Sequence, residues 1–332
     1  MYLRLLALLL GLAPLAPALA APVPGELAEG LRALQAIDAR VALIGHRLAR
    51  ANLQLCTLQE PLPGFAVHAL GQYAPAARPA AAAVFGLSAS PTVSLVVPGS
   101  AAERAGLLPG DRLLAINGAP VAPASLGERA DYAAIEAVEN KLEEALAAGL
   151  AQLAIERDGR ALSLRLDADP GCVSRVQVIP SRRLNASADG EYAQLTTRIV
   201  ALARTDAELA MIVAHEMAHN ILEHRVRLEA QGVRPGLGRR FGSGARKVKV
   251  TEIEADYLAH YLAARAGYAV AEAPGFYRRL SRASGDFLFG STTHLAGGRR
   301  VRYSEAVAAE IAAKRAGGEP LLPSAAAPSP GR

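Results

Sequence analysis

The stretch His215-Glu216-Met217-Ala218-His219 constrains this chain more than any other. It lies inside TDAELAMIVAHEMAHNILEH, residues 205–224, where Thr205 and Glu208 form a capping box that starts a helix. Two histidines four residues apart project from one helical face about one turn apart, so both imidazoles can reach a single metal ion. Glu216 is turned by about 100° from His215 and can reach a metal-held water without being a ligand itself. A fold that uses this motif must bring a further donor against the same face.

That donor comes from VTEIEADYLAHYL, residues 250–262, where Glu252 and Asp256 share one face of the next helix. A carboxylate at Glu252 completes a His-His-Glu set for one zinc ion per chain and leaves a fourth position open, as catalytic zinc requires. Asp256 then accepts the outer N–H of a ligating histidine and fixes its tautomer. Glu254 competes for the ligand role but faces elsewhere, two residues from Glu252. His224 and His260 read as surface or packing residues.

HEMAH followed by Glu252-Ile253-Glu254-Ala255-Asp256 resembles the HtpX/BepA-type zinc metallopeptidases, gluzincins related to the CAAX prenyl proteases. The resemblance covers about residues 172–314. Asn185-Ala186 with Ala188-Asp189-Gly190 resembles the family's strand pair ahead of the zinc helix, and Ser291-Thr292-Thr293-His294 its downstream S-T-x-H-P segment. Here Leu295 replaces the proline, and Arg299-Arg300 stands where the family often has Glu-Arg. The resemblance implies peptide hydrolysis with Glu216 as base. It also implies that His294 lies near the metal, either stabilising the oxyanion or filling the open zinc position in a latent state.

A second resemblance lies upstream. PGSAAERAGLLPGDRLLAING, residues 98–118, resembles the central stretch of a PDZ domain. Such domains bind C-terminal peptides as an added strand, with backbone N–H groups holding the terminal carboxylate. Phe85, Gly86 and Leu87, after Val84, are the expected carboxylate loop. LAIERDGRALSLRL reads as a hairpin with Asp158-Gly159 at its turn.

The chain opens with one arginine ahead of an apolar run that ends Ala18-Leu19-Ala20, a pattern read as a cleaved secretory leader. The expected compartment is the periplasm, with membrane association as the alternative if the leader stays. In an oxidising compartment the only two cysteines, Cys56 and Cys172, are expected to pair. The net charge is +5, without the aromatic-interleaved basic patch of a nucleic-acid binder. Residues 225–249 hold eight basic side chains against one acid and read as a solvated loop or a contact with an anionic membrane surface.

The expected fold class is α+β: a mainly helical HExxH domain with a small sheet, and a β-rich PDZ-like domain inserted after an N-terminal helix. The expected boundaries are leader 1–20, N-terminal helix region 21–74, linker 75–83, PDZ-like domain 84–170, metallopeptidase domain 171–318 and disordered tail 319–332. Two functions follow. One is an endopeptidase for unfolded or misassembled envelope proteins; the other is a chaperone or assembly factor with latent protease activity.

Overall fold

The computed structural model describes residues 24–173, 175–233, 242–284 and 297–324. The leader and His294 lie outside the described residues, as do residues 325–332 of the tail. In chain order the elements are α1 (Pro24–Ala51), β1 (Gln59–Leu62), β2 (Phe65–His68), α2 (Arg78–Phe85), β3 (Thr92–Val96), α3 (Ala101–Arg104), β4 (Arg112–Ile116), β5 (Ala119–Pro120) and α4 (Ala133–Ala147). They continue with β6 (Ala151–Arg157), β7 (Arg160–Leu166), β8 (Asp169–Cys172), β9 (Arg175–Ile179), β10 (Ala186–Ala188), β11 (Tyr192–Thr196) and α5 (Thr197–Val200). The last are α6 (Asp206–Ile221), α7 (His224–Ala230), α8 (Gly242–Arg265), α9 (Ala273–Ser284) and α10 (Gly297–Ala316). The fold is α+β.

Helix α6 is the centre of the first core. Thr205 Oγ1 accepts from Glu208 N at its start, and Glu208 Oε2 accepts from Arg204 N. Almost every later residue of α6 is buried, as expected for a helix enclosed on all sides. Val41, Ile44 and Leu48 of α1 join this core, together with Leu258, Tyr261 and Leu262 of α8 and Val307 and Ile311 of α10. A three-stranded sheet closes one side in the order β10-β11-β9, with β11 antiparallel to β10 and parallel to β9. Gly190 N, in the turn between β10 and β11, donates to Asn220 Oδ1 of α6 at 2.9 Å and ties the sheet to the helix.

The second core is built on the sheet β2-β3-β4-β6-β7, with β5 paired to β4. Leu113, Leu153 and Ile155 face Ile135, Val138 and Leu142 of α4. The β6–β7 hairpin turns on Asp158 (φ 50°) and Gly159 (φ 74°), the positive pair that a two-residue turn needs. The chain crosses between the two cores at a neck, and the cores also touch through Tyr192–Glu139 and Arg175–Asn140. Strands β1 and β8 pair antiparallel, and Cys56 and Cys172 form a disulfide with Cα atoms 5.5 Å apart.

Several local expectations are corrected. Residues 75–83 are not an extended linker, because they contain a 3-10 turn and most of α2. Alanine is the strongest helix former, Pro79 is tolerated in the first turn, and Ala81 is fully buried in a cluster with Leu31 of α1. Phe85 therefore ends a helix, Gly86 caps it at φ 64°, and Leu87 packs against α1 and α2. None of the three sits in a loop leading an edge strand. The PDZ-type sheet instead begins at β2, upstream of the expected boundary. The helix over 206–224 breaks at Glu223, whose φ is 51°. Helix α8 starts nine residues before Thr251, and α9 was not anticipated.

Candidate metal centre

The first turns of α6 are fixed by its cap, so the spacing of His215 and His219 translates into position. Their Nε2 atoms are 3.2 Å apart. Glu252, in the middle of α8, places Oε2 3.4 Å from His215 Nε2 and Oε1 3.5 Å from His219 Nε2. Bonds of about 2.0–2.1 Å to a tetrahedral zinc put ligand atoms roughly 3.4 Å apart. The three side chains already stand at that separation. The donor chemistry, two imidazoles and a carboxylate, suits zinc. Glu216 follows His215 on α6 and is 5% exposed.

The outer atoms of the imidazoles explain why the inner ones converge. His215 Nδ1 is 2.9 Å from Asp256 Oδ1. Arg300 from α10 grips the same carboxylate with Nη2 at 2.6 Å and Nε at 3.2 Å, and its guanidinium lies 4.3 Å over the Tyr277 ring of α9. Burial opposes a charge on Asp256, but Arg300 and His215 outweigh it and hold the carboxyl well below the usual range. Asp256 is thus a charged acceptor for a proton on His215 Nδ1, which leaves Nε2 as the nitrogen that faces Glu252 and His219.

His219 uses a different partner. Its Nδ1 is 2.8 Å from His224 Nδ1, and His224 Nε2 is 3.0 Å from Glu254 Oε2. With Nε2 of His219 turned to the metal, the proton on its Nδ1 donates to His224, which donates onward from Nε2 to Glu254. This requires a neutral His224. Burial supplies that condition, lowering His224 to about 4 against the opposing pull of Glu254. Burial also resists the charge on Glu254, but Arg227 at 2.8 Å and His224 outweigh it and lower its pKa.

The structure therefore brings His215, His219 and Glu252 together and places Asp256 behind His215. It puts Glu254 outside the donor group, engaged with His224 and Arg227. His260 is fully buried between the Asp256 carbonyl and Ser304 Oγ. Sequence reasoning missed His224 and Arg300 as members of the site. The available signal was the density of histidine: three of the seven fall within ten residues. Arg300 reads only as part of the pair that stands where the resembled family often has Glu-Arg, and its role is not legible because Asp256 is 44 residues away.

Comparison with known proteins agrees with both cores. Residues 129–237 match the profile of Peptidase family M48, and residues 92–140 match that of a PDZ domain. The first match stops short of Glu252, which is placed by geometry alone. A protein of Rhizobium meliloti (strain 1021), provisionally named a zinc metalloprotease, is 65% identical over 34 residues. That stretch spans 10% of this chain and 9% of the relative's length. Together with the α+β fold, these matches make the chain similar to PDZ domains over residues 92–140 and to Peptidase family M48 over residues 129–237.

Proposed function

We propose that the protein is a zinc-dependent endopeptidase acting on unfolded or misassembled polypeptides, with His215, His219 and Glu252 holding the metal. The observation that carries this reading is the convergence of two imidazole nitrogens and the Glu252 carboxylate, with contacts of 3.2–3.5 Å between the three groups. Both outer imidazole nitrogens are meanwhile engaged away from that point.

When bound, zinc supplies Lewis acidity to the attacking water and the scissile carbonyl. Glu216 takes the water's proton and passes it to the leaving amine. Asp256 and Arg300 keep His215 oriented, and His224 with Glu254 does the same for His219. His294 is proposed as a further active-site group near the metal. The leader pattern in residues 1–20 supports export, and with it a periplasmic substrate pool. The PDZ domain is proposed to recruit or gate those substrates.

The test is metal content and cleavage of an unfolded protein, measured on the same samples. Wild type should carry about one zinc per chain. Glu216→Gln should keep the metal and lose cleavage, whereas Glu252→Gln should lose both and Glu254→Gln should retain zinc. Full zinc in Glu252→Gln would overturn the ligand set. Undiminished cleavage by Glu216→Gln would overturn the mechanism.

A further inference from the structure

The two cores meet along a polar seam. Tyr192, at the start of β11, is buried, and its hydroxyl donates to Glu139 Oε2 of α4 at 2.6 Å. Arg175, at the start of β9, is 13% exposed. It donates to Asn140 Oδ1 of α4 at 2.7 Å and to the Tyr192 hydroxyl at 3.2 Å, and it pairs with Glu143 of α4. Glu143 is exposed, so that pair contributes little. The Tyr192–Glu139 bond is the sheltered contact of the seam, and shelter strengthens it.

From Tyr192 a short turn leads to the helix that carries the histidines. Residues 189–192 close the connection between β10 and β11. Asp189 Oδ1 accepts from Glu191 N at 3.0 Å and from Tyr192 N at 2.7 Å, and Asp189 N donates to Tyr192 O at 3.2 Å. The turn is anchored at two further points. Gly190 N donates to Asn220 Oδ1 at 2.9 Å, and Arg225 Nη1 donates to Asp189 O at 2.6 Å. Asn220 directly follows His219, and Arg225 directly follows His224. One turn therefore touches α4 through Tyr192 and also holds the chain beside both members of the His219–His224 pair.

This arrangement has a mechanical consequence. The turn is closed by its own hydrogen bonds, so it moves as a unit. It cannot shift and keep both anchors unless residue 220 or residue 225 shifts with it. Packed interiors transmit such displacements. A zinc site tolerates little of it, because its bond lengths fix the spacing of the donor atoms.

We propose that docking of α4 on Tyr192 couples the second core to the metal centre. With the seam closed, the turn holds Asn220 and Arg225 in place and the site is assembled. With the seam open, the site binds zinc less tightly. Tyr192 and Asn220 are positioning residues in this scheme. The inference rests on the zinc reading given above, and it supplies a physical route for the gating proposed there. Coupling is reciprocal, so zinc must also tighten the turn and its seam.

The experiment uses the full chain. Zinc affinity is read by competition with a zinc-sensitive dye, and amide exchange by mass spectrometry with and without zinc. Glu139→Ala lies in the second core, yet it should weaken zinc binding about fivefold or more. Exchange over residues 186–195 should quicken in the same variant. Glu139→Gln keeps an acceptor for the Tyr192 hydroxyl and should recover most of the affinity. Tyr132→Phe removes a Glu139 partner inside the second core and should change neither reading. Asn220→Ala should weaken zinc binding by itself, and adding Glu139→Ala should cost little more, because the route is already cut. Thermal melts identify any variant that has failed to fold. Wild-type affinity in a folded Glu139→Ala, losses that multiply in the double variant, or an equal loss in Tyr132→Phe would each overturn the proposal. A wild type that binds no zinc sinks the hydrolytic reading. Exchange over residues 215–225 then decides the coupling: faster in Glu139→Ala upholds it, and unchanged overturns it.

Discussion

His219 and His224 meet Nδ1 to Nδ1 at 2.8 Å, a contact that only one proton arrangement satisfies if His219 turns Nε2 inward. The break in α6 at Glu223 makes it possible. A helix continuing through residue 224 would carry that side chain about 140° around the axis from His219. The positive φ at Glu223 starts α7 afresh and turns His224 back. The expected consequence is that His224→Ala lowers zinc affinity by about 10–100-fold, the usual cost of losing an outer partner of a metal-bound histidine. Competition with a zinc-sensitive dye measures it. Glu254→Gln should give a smaller loss, since an amide oxygen can still accept from His224. Unchanged affinity in His224→Ala would show that the contact is packing alone.

Asp256 and Arg300 form a buried ion pair, and such pairs fail asymmetrically. Removing one partner leaves an uncompensated charge and costs about 3–5 kcal/mol, whereas replacing both can be nearly neutral. Arg300→Met should therefore lower the melting temperature markedly. Asp256→Asn combined with Arg300→Met should recover much of that loss but not the zinc affinity, because His215 loses its charged acceptor. Additive losses in stability would argue against coupling between the two.

Much of this was legible where the signal is local. The capping box at Thr205 marked the start of α6, and Asp158-Gly159 marked the β6–β7 turn. Leu153 and Ile155 stand at alternate positions of that hairpin's first strand, and both are buried. The pairing of His215 with His219 needs only helical periodicity. What was not legible depends on partners distant in sequence. Residues 78–85 have a composition that suits a linker or a helix, and the deciding contact is with Leu31. Phe65 and Ala66 carry no strand pattern of their own, and their edge position is set by pairing with Val96 and Leu95.

The Cys56–Cys172 bond joins residues 116 apart at the neck between the cores. The β1–β8 pairing already holds the same two ends together, so the bond reinforces a closure that strand pairing has begun. Replacing both cysteines by serine should cost about 2–5 kcal/mol, toward the lower figure for that reason. Melting curves with and without reductant should differ for the wild type and coincide for the double variant. Two reactive thiols after denaturation without reductant would show that the bond does not form.

Asp38 on α1 supplies a test in the pH dependence of stability. Its half-buried carboxyl interacts with Tyr73 of the α2 cluster and with Tyr132 beside Glu139. Burial raises its pKa from 3.8 to about 7. In the unfolded chain the group titrates near 3.9. Between about pH 4 and pH 7 the folded state therefore holds a proton that the unfolded state has released, and stability falls as pH rises through that window. The stabilising contribution is complete below about pH 4 and is gone above about pH 7. Asp38→Asn removes the titration while keeping the shape. The variant should match the wild type near pH 4 and be the more stable at pH 8, by on the order of 1–2 kcal/mol given the solvent that still reaches the group. Melting temperatures of both proteins across that range decide the matter. A difference that stays constant with pH would mean that Asp38 keeps an ordinary pKa and that α1 meets its neighbours without a buried acid between them.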